Sequence, residues 1–371
     1  MKYRILVTGG AGFIGSHLVD ELVKEGHDVV VLDNLESQVH IRKPDYLNRK
    51  AEYVFEDMRN EDIVKSLIAD TEIIFHHAAA VGVGQSMYQI KRYVEINTYA
   101  TAKLLDLVVN CENNVKKLIV ASSMSIYGEG AYRCEDCGEV YPKLRSEGQL
   151  KRKEWEMRCP CCGKIIMPIP TREDKPLCPE SIYAITKRDH EEMCLVVGRA
   201  YGIPTVALRY FNVYGPRQSL NNPYTGVCAI FSSRIKNNNP PIIFEDGMQT
   251  RDFVSVHDIV QANILAMKKN GGNYEALNVG TGKAISIKEV AETLINLYEA
   301  NLKPVIANKY RSGDIRHCFA DISKIMSKLG YEPRISLEEG MKELVEWGEK
   351  VEAEDRFEKA YQELKKKGLT L

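Results

Sequence analysis

The 371-residue sequence contains no apolar run that approaches the roughly 20 residues of a membrane-spanning helix. It shows no signal-peptide pattern at its start, where "MKYRILVTGG" reads as a short strand followed by glycines. It also has no excess of either charge, with 50 basic and 51 acidic residues, which argues against nucleic acid as a partner. These absences predict a cytoplasmic globular protein that binds neither membranes nor nucleic acid.

The first 35 residues follow the pattern of a strand, a glycine-rich turn, a helix and a second strand. The turn contains Gly10-x-Gly12-x-x-Gly15, preceded by Gly9. Such glycines permit a tight turn and let a pyrophosphate approach the N–H groups of a helix N-terminus. Asp33 lies at the end of the second strand. A carboxylate there accepts hydrogen bonds from the hydroxyl groups of the adenine ribose and repels a 2′-phosphate. A lone glycine motif is often only a structural turn, but this full unit predicts dinucleotide binding and favours NAD over NADP.

Strand and helix patterns continue to alternate along the chain. The predicted strands are 52–56, 72–76, 116–122 and 204–210, and the predicted helices lie near 60–69, 89–112 and 181–201. This alternation predicts an α/β fold with a Rossmann-type, doubly wound parallel sheet and a ligand site at the carboxyl ends of its strands.

A candidate reactive centre combines the end of one predicted strand with one predicted helix. Tyr183 and Lys187 are four residues apart, so both side chains lie on one helix face, and Ser123 lies at the end of the strand. A phenol with a pKa of about 10 is a poor base, but a nearby ammonium and a nicotinamide cation favour its phenolate. Taken alone, Tyr-x-x-x-Lys is more often an ordinary pair on an exposed helix face. Together with the dinucleotide motif and the strand end that carries Ser123, it predicts a catalytic pair.

Motifs along most of residues 1–330 resemble the extended short-chain dehydrogenase/reductase superfamily, specifically its NAD-dependent nucleotide-sugar epimerases and dehydratases. In chain order they are "TGGAGFIGSH", "FHHAAAVGVGQS", "YVEINTYAT", "SSMSIYG", "YAITK", "LRYFNVYGPRQ", "RDFVSVHDI", "NVG" and "RSGDIRHCFAD". The expected organisation is an NAD-binding Rossmann domain over 1–210, interrupted by an insert at 131–168, with some later strands returning to its sheet. A smaller substrate-binding lobe over 211–335 and a helical tail over 336–371 follow.

The resemblance also implies the site residues. Ser123, Tyr183 and Lys187 form the catalytic group, and the substrate is a nucleotide-diphosphate sugar. Tightly bound NAD is held by Gly9, Gly12, Phe13, Ile14, Gly15, Asp33, Asn34, Asp57, Met58, Ala78, Ala79, Ala80, Val81, Asn97, Tyr183, Lys187 and Tyr210. The sugar nucleotide contacts Ser123, Ser125, Asn212, Arg251, Arg311 and Asp314. Family members pair through the helices near 95–112 and 182–200, so a homodimer is expected.

The residues after Ser123 bear on the reaction type. Dehydratases and decarboxylases of this family place acids there, whereas this chain has Met124 and Ser125. The resemblance therefore implies an isomerase that oxidises and re-reduces one sugar carbon, C4. The stretches "LDNLESQVH", "FNVYGPRQSLNNPYTGV" and "YRSGDIRHCFADIS", together with the cysteine-bearing insert, are similar to dTDP-L-rhamnose 4-epimerases. The alternative function is 4-epimerisation of UDP-glucose, UDP-galactose or UDP-glucuronate. A nucleotide-sugar dehydratase and a non-catalytic NAD or redox sensor rank after it.

Five of the ten cysteines lie in the insert as Cys134-x-x-Cys137-Gly and Cys159-Pro-Cys161-Cys162-Gly. Two such knuckles separated by about 20 residues are typical of a zinc ribbon with four thiolate ligands. Cys161 competes with Cys162 for the fourth position, and the glycine that follows Cys162 favours the latter. A regulatory disulfide through Cys161 and a nucleic-acid-binding ribbon are the alternatives. The polar segment between the knuckles predicts no hydrophobic core of its own, so a structural zinc would hold it together.

The tail is rich in charged residues with helical periodicity. Its apolar positions Leu337, Met341, Leu344 and Trp347 are expected to dock on the body of the protein. The remainder of the tail is expected to be solvated.

Overall fold

The computed structural model describes residues 2–311 and 313–370. The strands are β1 (Arg4–Thr8), β2 (Asp28–Leu32), β3 (Glu52–Val54), β4 (Ile73–His76), β5 (Lys117–Ser123), β6 (Ala131–Cys134), β7 (Gly138–Val140), β8 (Met167–Ile169), β9 (Thr205–Tyr210), β10 (Asn212–Tyr214), β11 (Ile242–Ile243), β12 (Thr250–Arg251), β13 (Phe253–Ser255), β14 (Glu275–Val279), β15 (Ile285–Ser286), β16 (Val305–Ile306) and β17 (His317–Cys318). The helices are α1 (Phe13–Lys24), α2 (Glu61–Ile68), α3 (Val83–Ser86), α4 (Ile90–Tyr93), α5 (Ala100–Asn110), α6 (Glu147–Lys151), α7 (Ile182–Tyr201), α8 (Val227–Lys236), α9 (Val256–Lys268), α10 (Ile287–Leu297), α11 (Ser323–Leu329), α12 (Leu337–Lys350) and α13 (Phe357–Lys366).

The centre of the molecule is a seven-stranded parallel sheet in the order β14-β9-β5-β4-β1-β2-β3. Successive strand residues point to opposite faces, so Ile5 packs with α1 and α9 while Leu6 packs with α2, α5 and α7. Both faces are therefore covered by helices. The predicted α/β fold with a doubly wound parallel sheet is confirmed.

The helix predicted near 89–112 is divided in the structure. α4 leads into a π-helical turn, Val94–Tyr99, which leads into α5. A π turn carries one extra residue per turn and rotates the side chains that follow it, and sequence periodicity does not show where it lies. Asn97, one of the predicted site residues, lies in this turn.

Small sheets flank the central one on its carboxyl-end side. They pair β10 with β13, β11 with β16, and β15 with β12 and β17. Together with α8, α10 and α12 they enclose a second core that includes Phe231, Ile243, Leu294 and Met341. This lobe faces the ends of the central strands.

The insert folds as an antiparallel three-stranded sheet, β7-β6-β8, with α6 between its halves. The expectation that it has no core of its own is wrong, because Tyr132, Val140, Met157 and Ile166 are buried together beside two cysteines. These apolar residues are spread over about 35 positions without periodicity. Sequence patterning therefore did not reveal that they meet.

The tail forms two helices, and only the first follows the prediction. Met341 and Leu344 of α12 are fully buried against the lobe. α13 was expected to be solvated, but its Ala360 and Leu364 are also buried. In the described part of the chain, none of the helices is both long and apolar enough to cross a membrane.

Candidate active site

A cavity of about 660 Å³ lies between the carboxyl ends of the central strands and the lobe. Its lining includes the residues that follow β1, β2, β4, β5 and β9. Every residue that the sequence predicted for NAD or for the sugar nucleotide lines this cavity, except Asn97. Parallel strands bring their carboxyl ends to one edge of the sheet, which explains why motifs spread over 300 residues meet here.

The glycine turn at the start of α1 is shaped by close backbone approaches. A Cβ on Gly15 would lie 2.3 Å from the Gly9 carbonyl oxygen, and one on Gly9, whose φ is +71°, would lie 2.8 Å from the Ala78 nitrogen. Gly12 is the N-cap of α1, which has no side-chain cap and no acidic residue in its first turn. The first N–H groups of α1 therefore remain available to an anion, which fits a dinucleotide pyrophosphate.

Asp33 follows β2 directly, and its carboxylate is hydrogen-bonded to the backbone of the glycine turn. Its Oδ2 accepts a hydrogen bond from the Ala11 nitrogen at 3.0 Å, and its Oδ1 accepts one from the Leu35 nitrogen at 2.9 Å. Each carboxylate oxygen keeps acceptor capacity for a further donor. The position fits the ribose hydroxyls of a dinucleotide.

Asp57 lies beside Asn34 at the same end of the cavity. Arg59 donates to both of its oxygens at 2.8 and 2.9 Å, and the Asn34 amide donates to one of them at 3.2 Å. The hydrogen bonds from Arg59 lower the pKa of Asp57 to about 2. Asp57 is therefore a carboxylate at all ordinary pH values.

Tyr183 lies in the first turn of α7, where Ser181 caps the helix by accepting from the Ala184 nitrogen at 3.1 Å. Its side chain is 8% exposed and lines the cavity together with Ser123 at the end of β5. Burial raises the pKa of Tyr183 to about 12, and the Ser123 hydroxyl opposes this rise. A phenol in this position needs a positive neighbour to act as a base near neutral pH.

Lys187 lies one turn further along α7 and is 3% exposed. Its Nζ donates to the Ala121 carbonyl at 2.6 Å and lies 3.5 Å from His190 Nδ1. Burial lowers the pKa of Lys187 to about 7, because the ammonium loses its hydration. The same side chain is therefore able to carry or release a proton near neutral pH.

Asn97 supports the cavity wall instead of lining it. Its Oδ1 accepts from the Ala80 nitrogen at 2.7 Å, and its Nδ2 donates to the Ala80 carbonyl at 3.1 Å and to Thr186 at 2.9 Å. This fully buried amide ties the loop after β4 to α7. Asn97 therefore positions the wall, and its predicted contact with the cofactor stays a prediction.

The two arginines predicted to face a diphosphate make different contacts. Arg251 donates through Nη1 and Nη2 to the carbonyls of Thr250, Arg316 and Ile315 at 2.7–2.9 Å. Arg311 pairs with Asp314 at 2.8 Å and lies over the Phe244 ring at 4.7 Å. Arg311 is thus the more available donor, and Arg251 is held by the backbone that carries Asp314.

Three amide side chains of the lining carry a buried oxygen with no hydrogen-bond partner among the described residues. They are Asn212, Gln218 and Gln249. Only Asn212 was predicted. Unpaired buried acceptors are costly, and a polar ligand or water in the cavity would satisfy them. Gln218 is the last residue of the motif "LRYFNVYGPRQ", whereas Gln249 lies outside the quoted motifs.

The cysteine cluster of the insert is assembled by the turns after β6 and after Met157. The sulfurs of Cys134, Cys137, Cys159 and Cys162 all lie within 4.8 Å of one another. Cys161 is exposed and lies outside this group. Four thiolates at this spacing fit a tetrahedral metal with bonds of about 2.3 Å.

Buried ion pairs join the insert to the lobe. Arg145 forms two hydrogen bonds of 2.8 Å with Glu245, and both side chains are almost fully buried. Arg316, fully buried, contacts Glu156 of the insert as well as Glu245 and Asp246 of the lobe. The insert therefore packs on the segments that carry Arg251 and Asp314. No described residue of 131–168 lines the cavity itself.

Comparison with known proteins gives consistent matches along the chain. A model described as "NAD dependent epimerase/dehydratase family" matches residues 5–145, and one described as "GDP-mannose 4,6 dehydratase" matches residues 163–344. A dTDP-L-rhamnose 4-epimerase of Burkholderia thailandensis is 36% identical over 348 residues, which are 93% of this chain and 94% of that protein. This chain belongs to the NAD-dependent epimerase/dehydratase family.

Solved structures place this epimerase/dehydratase chain among sugar-nucleotide enzymes. A UDP-glucose 4-epimerase of Thermotoga maritima with UDP-glucose is 35% identical, with a TM-score of 0.77 over 94% of this chain and 99% of that one. A UDP-glucuronic acid 4-epimerase of Bacillus cereus, in complex with UDP-glucuronic acid and NAD, is 29% identical, with a TM-score of 0.77 over 94% and 100%. The predicted family and the Rossmann-type fold are confirmed.

Proposed function

We propose that this protein is an NAD-dependent nucleotide-sugar 4-epimerase with dTDP-L-rhamnose as its substrate. The observation that carries the proposal is that Ser123, Tyr183 and Lys187 line the same cavity as the glycine turn and Asp33. The 4-epimerases among its relatives, acting on dTDP-L-rhamnose, UDP-glucose and UDP-glucuronate, support the same reaction. Residues 1–210 bind the cofactor, and residues 211–335 bind the sugar nucleotide together with Ser123 and Ser125.

Bound NAD supplies reversible oxidation and reduction of a carbinol carbon. Tyr183 Oη accepts the proton of the sugar 4-hydroxyl and later returns it, while Ser123 Oγ orients that hydroxyl. Protonated Lys187, one turn away, favours the phenolate form of Tyr183. Burial lowers the pKa of Lys187 to about 7, so its positive charge is retained most fully below neutral pH.

The diphosphate is bound by Arg311, Arg251 and Asn212. Asp314 accepts hydrogen bonds from the hydroxyl groups of the nucleoside ribose. Guanidinium groups suit this task because their fixed fork of donors matches phosphate oxygens. A substrate held mainly by its diphosphate is able to turn its ring, so that either face of C4 would meet the nicotinamide of bound NAD, while Tyr183 exchanges the proton of the C4 oxygen. Epimerisation requires this freedom.

The side chains beside Ser123 favour epimerisation over elimination. Met124 and Ser125 follow it in a 3₁₀ turn, and Ser125 Oγ donates to Ser123 Oγ at 2.9 Å. Neither is an acid that could move protons at neighbouring sugar carbons. This supports chemistry at a single carbon.

The charge near the reacting end favours a neutral sugar. Glu180 lines the cavity directly before the cap of α7, and its Cγ lies against Gly128, just after the turn that begins at Ser123. A carboxylate at this position would repel the carboxylate of glucuronate. L-rhamnose, a neutral sugar, meets no such repulsion.

The test is product analysis without added cofactor. The purified protein is incubated with dTDP-L-rhamnose, UDP-glucose, UDP-galactose and UDP-glucuronate, and the nucleotide sugars are separated by chromatography and mass. We expect a new isomer of equal mass from dTDP-L-rhamnose at a fixed equilibrium ratio. An isomer from UDP-glucose, UDP-galactose or UDP-glucuronate alone would replace the proposed substrate. A product lighter by water or carbon dioxide would refute the reaction.

Asp33→Ala is expected to weaken NAD binding about 10- to 100-fold, because charge-assisted hydrogen bonds of the carboxylate are lost. The measurement is the NAD content of the purified protein, followed by titration of the cofactor-free form. Asp28→Ala removes an exposed carboxylate at the other end of the same strand, which pairs with Lys2, and is the control. Equal NAD content in both variants would contradict the role of Asp33.

The four-cysteine cluster holds a structural Zn²⁺ in this proposal, with Cys134, Cys137, Cys159 and Cys162 as ligands. The clustering of their sulfurs supports it. The glycines that follow each knuckle, Gly138 and Gly163, both have a φ of +77° and turn the chain there. None of the ten cysteines is paired in a disulfide, which agrees with a reducing, cytoplasmic location.

The protein is expected to form a homodimer through two helical segments, the π-helical turn with α5, and α7. Val94, Tyr99, Ile185 and Val196 on these helices are exposed. Light scattering should therefore give about twice the chain mass of 42.0 kDa. Val196→Glu should yield monomers, whereas Met326→Glu, an exposed apolar residue on α11, should not. A monomeric wild-type protein would contradict this expectation.

A further inference from the structure

Helix α13 presents one face to the cavity. Phe357, Ala360, Tyr361 and Leu364 all line it, and their spacing places them on one side of the helix. The opposite side, including Glu358 and Gln362, is exposed. The family models match residues up to 344, so α13 is an addition to the part of the chain that they describe.

Specific contacts hold this helix over the cavity. At its N-terminal end, Asp355 pairs with Arg234 at 3.2 Å, and the two side chains are at most 9% exposed. The Arg234 guanidinium also lies 4.6 Å from the centre of the Phe357 ring. Near its C-terminal end, Glu363 accepts from Tyr224 at 2.5 Å and from Tyr88 at 3.0 Å. α13 is thus fixed at both ends.

The part of the cavity beneath α13 is aromatic and lies beside a cation. The ring centres of Tyr361 and Phe244 are 6.2 Å apart. The Arg311 guanidinium lies over the Phe244 ring, 4.7 Å from its centre. Thr370, near the end of the chain, forms a β-bridge with Arg311. The tail therefore contacts the same segment that we assign to the diphosphate.

We propose that α13 forms part of the substrate site and that Tyr361 contacts the nucleotide half of the sugar nucleotide. The inference rests on the function proposed above. Flat aromatic side chains next to a guanidinium suit a nucleobase linked to a diphosphate. Ser123 and Tyr183 lie on other walls, so α13 affects binding of the nucleotide more than the proton transfer.

The test compares Tyr361→Ala with Gln362→Ala, its neighbour on the exposed face. Binding of UDP and dTDP to the NAD-containing protein is measured by calorimetry, and KM and kcat are measured with the substrate found above. We expect Tyr361→Ala to weaken nucleotide binding and raise KM roughly tenfold, with kcat within twofold of wild type. Gln362→Ala should leave both unchanged. NAD content and thermal unfolding report whether each variant is folded.

A chain ending before Phe357 provides a second variant, which should weaken nucleotide binding at least as much as Tyr361→Ala. Equal nucleotide binding by wild type, Tyr361→Ala and the shortened chain would overturn the inference while leaving the proposed function intact. A loss of kcat at unchanged KM would also overturn it. Failure of the wild-type protein to bind either nucleotide would instead refute the proposed function, and this inference with it.

Discussion

Replacing Tyr183 with phenylalanine is expected to lower kcat by roughly two to four orders of magnitude, because the group that exchanges a proton with the substrate hydroxyl is lost. The ring itself remains, so its edge-to-face contact with the Tyr93 ring, whose centre lies 6.4 Å away, is preserved together with the packing of α7. NAD content and nucleotide affinity should therefore remain close to wild type. The measurement is turnover with the substrate identified by product analysis.

Tyr93→Phe is the matched control. It removes a fully buried hydroxyl that bonds Gln85 at 3.0 Å beside Tyr183 and outside the cavity lining. We expect it to cost about 1 kcal/mol of stability and little activity. If Tyr183→Phe retained wild-type turnover, or if both variants lost activity equally, the acid–base assignment would be wrong.

The pH dependence provides a second test of Tyr183. Burial raises its pKa to about 12 and lowers that of Lys187 to about 7 in the absence of ligand charges. A base must be deprotonated to accept the substrate proton, so kcat/KM of the wild type should rise with pH towards the pKa of Tyr183, which the positive charge of bound NAD lowers from about 12. The residual activity of Tyr183→Phe should lack this rise.

Replacing Cys162 with serine is expected to reduce the zinc content from about one ion per chain to nearly none. Four sulfurs within 4.8 Å of one another form one closed site, and serine is a poor zinc ligand. Metal binding in such modules contributes on the order of 10 kcal/mol to folding, so the insert should lose its structure. Metal analysis and thermal unfolding measure the two effects.

Cys161→Ser is the control for this prediction, because it removes the adjacent, exposed thiol and leaves the cluster intact. Loss of the insert should also release Arg145 and Glu156 from their partners Glu245 and Arg316, and so weaken nucleotide binding. NAD binding should persist. Loss of zinc in Cys161→Ser but not in Cys162→Ser would reverse the ligand assignment, and zinc-free wild-type protein would refute it.

Local patterns in the sequence determined a large part of this protein. The glycine turn with Asp33, the pair Tyr183 and Lys187, and the two cysteine knuckles each depend on residues close together in the chain. The backbone geometry of one turn or one helix face fixes their arrangement. The alternation of strands and helices then determined the doubly wound sheet, because parallel strands require covered faces.

The tertiary structure decided what depends on contacts between distant segments. It excluded Cys161 from the cysteine cluster, placed Asn97 behind the wall and tied Arg251 to backbone carbonyls. It joined the insert to the lobe through Arg145 and Glu245, which are 100 residues apart. It also turned one face of α13 into the cavity. Such contacts form where packing leaves a buried charge or an apolar face to be covered, and no local periodicity encodes the partner.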